Sequence, residues 1–245
     1  FLGLITRCKD EIFIKEFCDY YLSQGVDQIF IIDDNSEDKS IYENINDNKV
    51  NILFDMCKNK AHNKDKCSKD CLCNRKILNK VYNIIRLNLN WLIHVDVDEF
   101  ITTKKNIKKT IREELKTTFK DNDCIKIPWV MMGCNKRKKN PKSILLENVY
   151  RWNHDKKHPN KHWKFGCRYD FIEIKCIFKP RKFNKISDHY PKEPISNNIR
   201  IVNGTNNKNE THLHFDKDSK YIESTFCEYS LMASCLFRTN YYLSN

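Results

Sequence analysis

Two carboxylates one residue apart, Asp96 and Asp98, lie in the segment His94-Val95-Asp96-Val97-Asp98-Glu99-Phe100. In an extended strand, residues two apart point the same way, so this pair can converge on one point. Like charges at that range repel and call for a cation or a donor between them. A hard divalent ion, Mn(II) or Mg(II), suits oxygen ligands and keeps coordination positions for a diphosphate. Such an ion stabilises negative charge on a departing group. Asp-x-Asp alone is common by chance; its weight here comes from the apolar run Trp91 to Val95 that ends on it. A second acidic cluster, Asp33-Asp34-Asn35-Ser36-Glu37-Asp38, follows the apolar run Gln28 to Ile32. An Asp at that place can accept hydrogen bonds from a ribose or a base edge, but an Asx-capped turn explains these residues equally well.

Alternating strands and helices would have to position both clusters. Phe1 to Ile5, Gln28 to Ile32, Val50 to Phe54, Trp91 to Val95 and Cys124 to Ile127 read as buried strands. Ile14, Phe17, Cys18 and Tyr21 repeat at helical spacing, and Gly25 ends that helix. Ile77 to Leu89 marks a long helix, and Ile107, Ile111 and Leu115 another. This alternation predicts an α/β fold with a mostly parallel central sheet flanked by helices. Sheets of that kind bind ligands at the carboxyl ends of their strands. Three polar clusters fall there: Thr6-Arg7, Asp33-Asp34, and Asp96 with Asp98. The second half is less regular. Phe171 to Phe178 reads as a strand with Ile172, Ile174, Cys176 and Phe178 on one face, and Ile222, Phe226, Tyr229 and Ala233 suggest a closing helix. No repeat or flexible linker divides the chain, so one domain over 1–245 is expected. Its nucleotide-binding half would be 1–127 and its elaborated acceptor-binding half 128–245.

The 245 residues suffice for one large domain, and the plentiful aromatic residues argue against disorder. Of the net charge of +12, most falls between Lys136 and Lys182, where 15 Lys/Arg face four acids. Such a stretch suits phosphates, nucleic acid or an anionic surface; a solvated basic face is the plainer reading. No apolar run approaches the roughly 20 residues that span a membrane. No signal peptide is visible, which favours the cytoplasm, with the secretory lumen the alternative if an anchor lies upstream. Asn203-Gly204-Thr205 and Asn209-Glu210-Thr211 match the N-glycosylation pattern.

With these residues in order, the chain resembles the family 92 glycosyltransferases and their family 2-like relatives, which share the GT-A fold. The matching landmarks are Arg7-Cys8-Lys9-Asp10-Glu11, Gly25-Val26-Asp27, Asp33 to Asp38, Trp91-Leu92, Asp96 to Phe100, Pro128-Trp129 with Gly133, Lys175 to Pro180, His189 and His214-Phe215. The resemblance implies a metal-dependent transfer of a sugar from a nucleotide-diphosphate donor, commonly a uridine diphosphate sugar, to a glycan or glycoprotein, with no nucleic-acid partner. By position it implies that Thr6, Arg7, Glu11 and Asp33 or Asp34 contact the nucleotide. Asp96 would face the ribose or sugar and join Asp98, the principal ligand, at Mn(II) or Mg(II). His189 would complete that site, with His214 as the alternative.

The sequence departs from the family in two places. The loop after Trp129 reads Met131-Met132-Gly133-Cys134-Asn135 in place of a Gly/Ser-rich run. A Cys-rich insertion carries Cys57, His62, Cys67, Cys71 and Cys73, which could hold a structural zinc, form disulfides or remain free thiols. An inverting enzyme also needs a carboxylate at the acceptor hydroxyl. Glu147 is the candidate, with Asp170 and Asp188 as rivals. Two other classes stay open: a metal-dependent phosphotransferase or nuclease, and a nucleic-acid module that interleaves Trp152, Trp163, Phe165 and Tyr169 with the basic stretch.

Overall fold

The structure is a computed structural model that describes residues 1–54, 56, 72–104, 106–133, 137, 139–151, 167–168, 171–204, 215–216 and 226–230. In chain order the strands are β1 (Leu2–Cys8), β2 (Gln28–Asp33), β3 (Val50–Leu53), β4 (Trp91–His94), β5 (Glu99–Thr103), β6 (Cys124–Gly133) and β7 (Tyr150–Arg151). They continue with β8 (Cys167–Arg168), β9 (Phe171–Phe178), β10 (Phe183–Ile186), β11 (Pro191–Pro194), β12 (Ile201–Asn203), β13 (Phe215–Asp216) and β14 (Phe226–Ser230). The helices are α1 (Ile14–Ser23), α2 (Leu72–Ile85), α3 (Ile111–Lys116) and α4 (Ile144–Glu147).

The main sheet runs β3-β2-β1-β4-β9-β6-β14-β5. Its first four strands are parallel. There the direction changes, because β9 lies antiparallel between β4 and β6. β14 is parallel to β6 and antiparallel to β5. The sheet is therefore mixed rather than mostly parallel. A continuous apolar run shows that a strand is covered on both faces, but it does not fix direction, which is why periodicity misjudged this half.

Alternation along the strands splits the interior into two cores. Leu2, Leu4 and Cys8 of β1 face Ile14, Phe17, Cys18 and Tyr21 of α1, the four residues marked by helical spacing. On the opposite face, Ile5 and Leu92 pack with Leu78, Val81, Tyr82 and Ile85 of α2 and with Ile174, Cys176 and Phe178 of β9. Gly25-Val26-Asp27 closes the turn into β2. Gly25 has φ +88°, a left-handed conformation, and its carbonyl accepts from Arg112 Nε at 2.7 Å. Asp27 accepts the Leu2 amide at 2.8 Å and pairs with Arg112.

Three further expectations are corrected. Within the suggested closing helix, Phe226 and Tyr229 fall in β14, whose backbone pairs with both β5 and β6, while Ile222 and Ala233 lie outside the described residues; tertiary pairing overrides a helical spacing of only a few residues. The helix expected from Ile107 begins at Ile111, where Thr110 and Glu113 form a capping box, and Ile107 is 84% exposed. β4 ends at His94, so Asp96 and Asp98 lie in the turn to β5 and not in a strand.

The start of β5 hangs on α1. The Tyr21 hydroxyl donates to the Glu99 carbonyl at 2.8 Å and accepts from the Ile101 amide at 3.0 Å, both buried. Tyr21→Phe strands two buried backbone groups and should cost about 1–3 kcal/mol of unfolding free energy. An unchanged urea midpoint would contradict this anchoring.

Candidate active site

At the carboxyl edge of β1 and β2, two loops are tied together by the protein's own hydrogen bonds. The Asp10 amide donates to Ser36 Oγ at 3.1 Å, and Asp10 Oδ1 accepts the amides of Glu37 (2.6 Å) and Asp38 (3.4 Å). Asp10 and Asn35 hold positive φ angles of 52° and 57°, conformations that Asn and Asp tolerate best among non-glycine residues. Asp33 is 3% exposed and accepts Tyr42 Oη at 2.8 Å and the Ser36 amide at 3.3 Å. It is a turn-holding carboxylate. Asp34 and Glu11 are half-buried at the rim. Thr6 is fully buried, while Arg7 is partly exposed.

The acidic turn next to this edge is closed twice. The Glu99 amide donates to the Asp96 carbonyl at 3.0 Å, and the Asp96 amide donates to Glu99 Oε2 at 2.8 Å. Between the two carboxylates sits Lys175 Nζ, 3.1 Å from Asp96 Oδ2 and 2.9 Å from Glu99 Oε2. The same ammonium donates to the Asp188 carbonyl at 3.1 Å. Its side chain is 3% exposed, whereas that of Asp96 is 53% exposed. Burial, aided by the charges of Asp96 and Asp98, raises the Glu99 carboxyl above the ordinary range even against Lys175. Desolvation also pulls Asp96 upward, but Lys175, His94 and Arg7 outweigh it and hold Asp96 low. Asp96 is therefore the ionised partner. Asp96 and Glu99 meet on one lysine, and Asp98 lies near enough to act on Glu99, so the turn gathers carboxyl groups that a divalent cation would suit.

α2 delivers the remaining wall. Asn79 exchanges two hydrogen bonds with Ile186 (2.9 and 3.0 Å), and Tyr82 Oη donates to the Phe183 carbonyl at 2.9 Å. These bonds fix the β10–β11 hairpin, whose loop Ser187–Tyr190 reaches the acidic turn. His94 Nδ1 lies 3.1 Å from the Ser187 carbonyl. A carbonyl only accepts, so Nδ1 carries the proton and Nε2 keeps its lone pair. Burial and then Lys175 push the His94 pKa down to about 4.

The structure thus brings Arg7, Asp96 and the Asp188–His189 loop together, with Asp98 close enough to act on Glu99. It does not bring Glu147 to them. That carboxylate accepts the amides of Lys142 (2.7 Å) and Ser143 (3.3 Å) and pairs with Arg137 at 3.6 Å. His214, Asp170, Cys57, His62, Cys67 and Cys71 lie outside the described residues, and Cys73 falls in α2. Cys8, Cys18, Cys124 and Cys176 are free buried thiols. Among the described residues no three His, Cys, Asp or Glu side chains form a closed metal cluster, and no helix is long and apolar enough to cross a membrane. Reasoning from sequence missed Lys175, Glu99, His94 and Asp10 as site residues. Lys175 carried one readable signal: a lone cation in a mostly apolar strand.

The family model of glycosyltransferase family 92 matches residues 84–231, more than half of the chain, and the chain belongs to that family. It is a glycosyltransferase. The matched span holds the acidic turn, Lys175 and the His189 loop, while β1, β2 and β3 precede it. No curated protein matches the chain. Membership places the enzyme among glycosyltransferases rather than phosphotransferases or nucleases.

Neutral His94 has a consequence for pH. As pH falls below about 6.5 the unfolded chain takes up a proton at this residue, while the fold resists until about 4. Its contribution to stability is present above that window and lost through it, by about 3 kcal/mol at most. In urea titrations, the gap between wild type and His94→Asn should narrow with acid across the window. A gap that stays constant would contradict a buried neutral imidazole.

Proposed function

We propose that this glycosyltransferase takes a nucleotide-diphosphate sugar, most simply a uridine diphosphate sugar, at the carboxyl edge of β1, β2 and β4, and transfers the sugar to a glycan or glycoprotein with the help of Mn(II) or Mg(II). One observation carries the reading: a turn holding Asp96, Asp98 and Glu99, the first and last on one buried lysine, next to two tied loops at the edge where such sheets bind ligands. The parallel order β3-β2-β1-β4 followed by a reversed strand supports a GT-A arrangement.

The residues fit the cation. Asp98 offers hard oxygen, and the His189 loop abuts the same turn through the Lys175 bond to the Asp188 carbonyl. When bound, the ion would stabilise charge on the departing diphosphate. The chain's own residues do the rest. Arg7 adds positive charge at the strand edge. Asp96, held ionised, presents a carboxylate to the ribose or sugar. Asp34 and Glu11 face the nucleotide at the loop rim, with Asp33 acting through the turn it holds and Thr6 through its buried strand position. For an inverting route, Asp188 takes precedence over Glu147 as the base. Its backbone is tied to the turn through Lys175, and its carboxylate, paired with Arg75 at 3.1 Å, stays partly exposed.

Calorimetry tests this directly. Uridine diphosphate should bind with Mn(II) present, and Asp98→Asn should lose the metal-dependent part of that affinity with its thermal midpoint unchanged. Retained affinity would sink the assignment. His189→Ala should weaken Mn(II)-supported binding by at least the about 10–100-fold typical of outer-shell partners. Full affinity in that variant, with loss in His214→Ala, would move the role to His214.

A further inference from the structure

We propose that Lys175 is a positioning residue that sets the spacing between the acidic turn and the Ser187–Tyr190 loop, and so between Asp98 and His189. This rests on the donor-site reading above. A lysine ammonium has three N–H donors and no acceptor. Here it meets three acceptors: Asp96 Oδ2, Glu99 Oε2 and the Asp188 carbonyl, at 3.1, 2.9 and 3.1 Å. Two belong to the β4–β5 turn and the third to the β10–β11 loop, segments about 90 residues apart in the chain. Lys175 comes from β9, the strand between them. At 3% exposure, water cannot replace any of the three bonds.

The placement matters because of what lies next to each acceptor. Asp98 is two residues beyond Asp96, and His189 directly follows Asp188. The ammonium touches neither Asp98 nor His189 among the bonds above. It grips their neighbours in the chain, and so fixes the backbone beside each of them. It also holds the Asp96 and Glu99 carboxyl groups on one donor, which keeps the turn closed. A lysine that merely offsets buried charge would need only the carboxylates; the Asp188 carbonyl bond makes it a clamp between two segments.

The test compares full-length wild type, Lys175→Met, and Lys175→Met combined with Glu99→Gln. The double variant removes the buried carboxylate that the single change strands. Hydrogen exchange is followed without ligand, and Mn(II)-dependent uridine diphosphate binding by calorimetry. The clamp predicts faster exchange at residues 95–99 and 187–190, unchanged exchange in β1 and β2, and Mn(II)-supported affinity about 10–100-fold lower in both variants. Unchanged exchange at those two segments in the folded double variant, with wild-type binding intact, overturns the Lys175 proposal alone. Absence of Mn(II)-dependent binding in wild type brings down the donor-site reading and the positioning role with it, while exchange still shows whether the clamp exists.

Discussion

An ammonium that water does not reach must find its acceptors inside the protein, or the fold bears the full cost of a desolvated charge. Lys175 meets that requirement with two carboxylates and a carbonyl. The rest of the edge is arranged so that it can. β9 pairs with β4 at Leu92↔Phe178 and Ile93↔Ile177. Because the strands are antiparallel, Lys175 lies beyond the last pair, on the side where β4 ends. A parallel β9 would carry it toward the amino end of β4. The reversal of direction at β9 is thus what places a cation beside the acidic turn.

The two sides of the edge are held by different means. On the β1–β2 side, backbone amides are gathered by the carboxylates of Asp10 and Asp33, and the loops are locked by short polar bonds. On the β4 side, one lysine and one neutral histidine join segments distant in sequence. Both arrangements set the geometry through bonds within the protein itself. Behind them, Tyr21 and Tyr20 fasten β5 to α1, so the acidic turn is fixed at both ends.

The sequence made much of this legible, for reasons that differ by element. β1 to β4 are continuous apolar runs ended by polar clusters, and α1 shows its four core residues at regular spacing. Those signals are local, so they survive without the fold. The alternation of Ile174, Cys176 and Phe178 marked a face of β9 correctly, but nothing local tells which neighbour a strand joins or in which direction. β14 was misread because Phe226 and Tyr229 fit a helical period as well as a strand between two partners. Asp33 shows the same limit in the site. Its type and place suit a nucleotide contact, and only the positions of Tyr42 and Ser36 assign it to the turn. Lys175 could be noticed as a cation among apolar residues, yet its partners lie 79, 76 and 13 residues away.

The most direct measurement is a crystal structure of the chain with Mn(II) and a non-transferable uridine diphosphate sugar. The account predicts the diphosphate at the carboxyl edge of β1, β2 and β4. The ion should be held by Asp98 and the His189 imidazole, and Lys175 should still span Asp96, Glu99 and the Asp188 carbonyl. A nucleotide bound away from that edge, or a diphosphate held there with no contact to the Asp96–Asp98 turn, would contradict it.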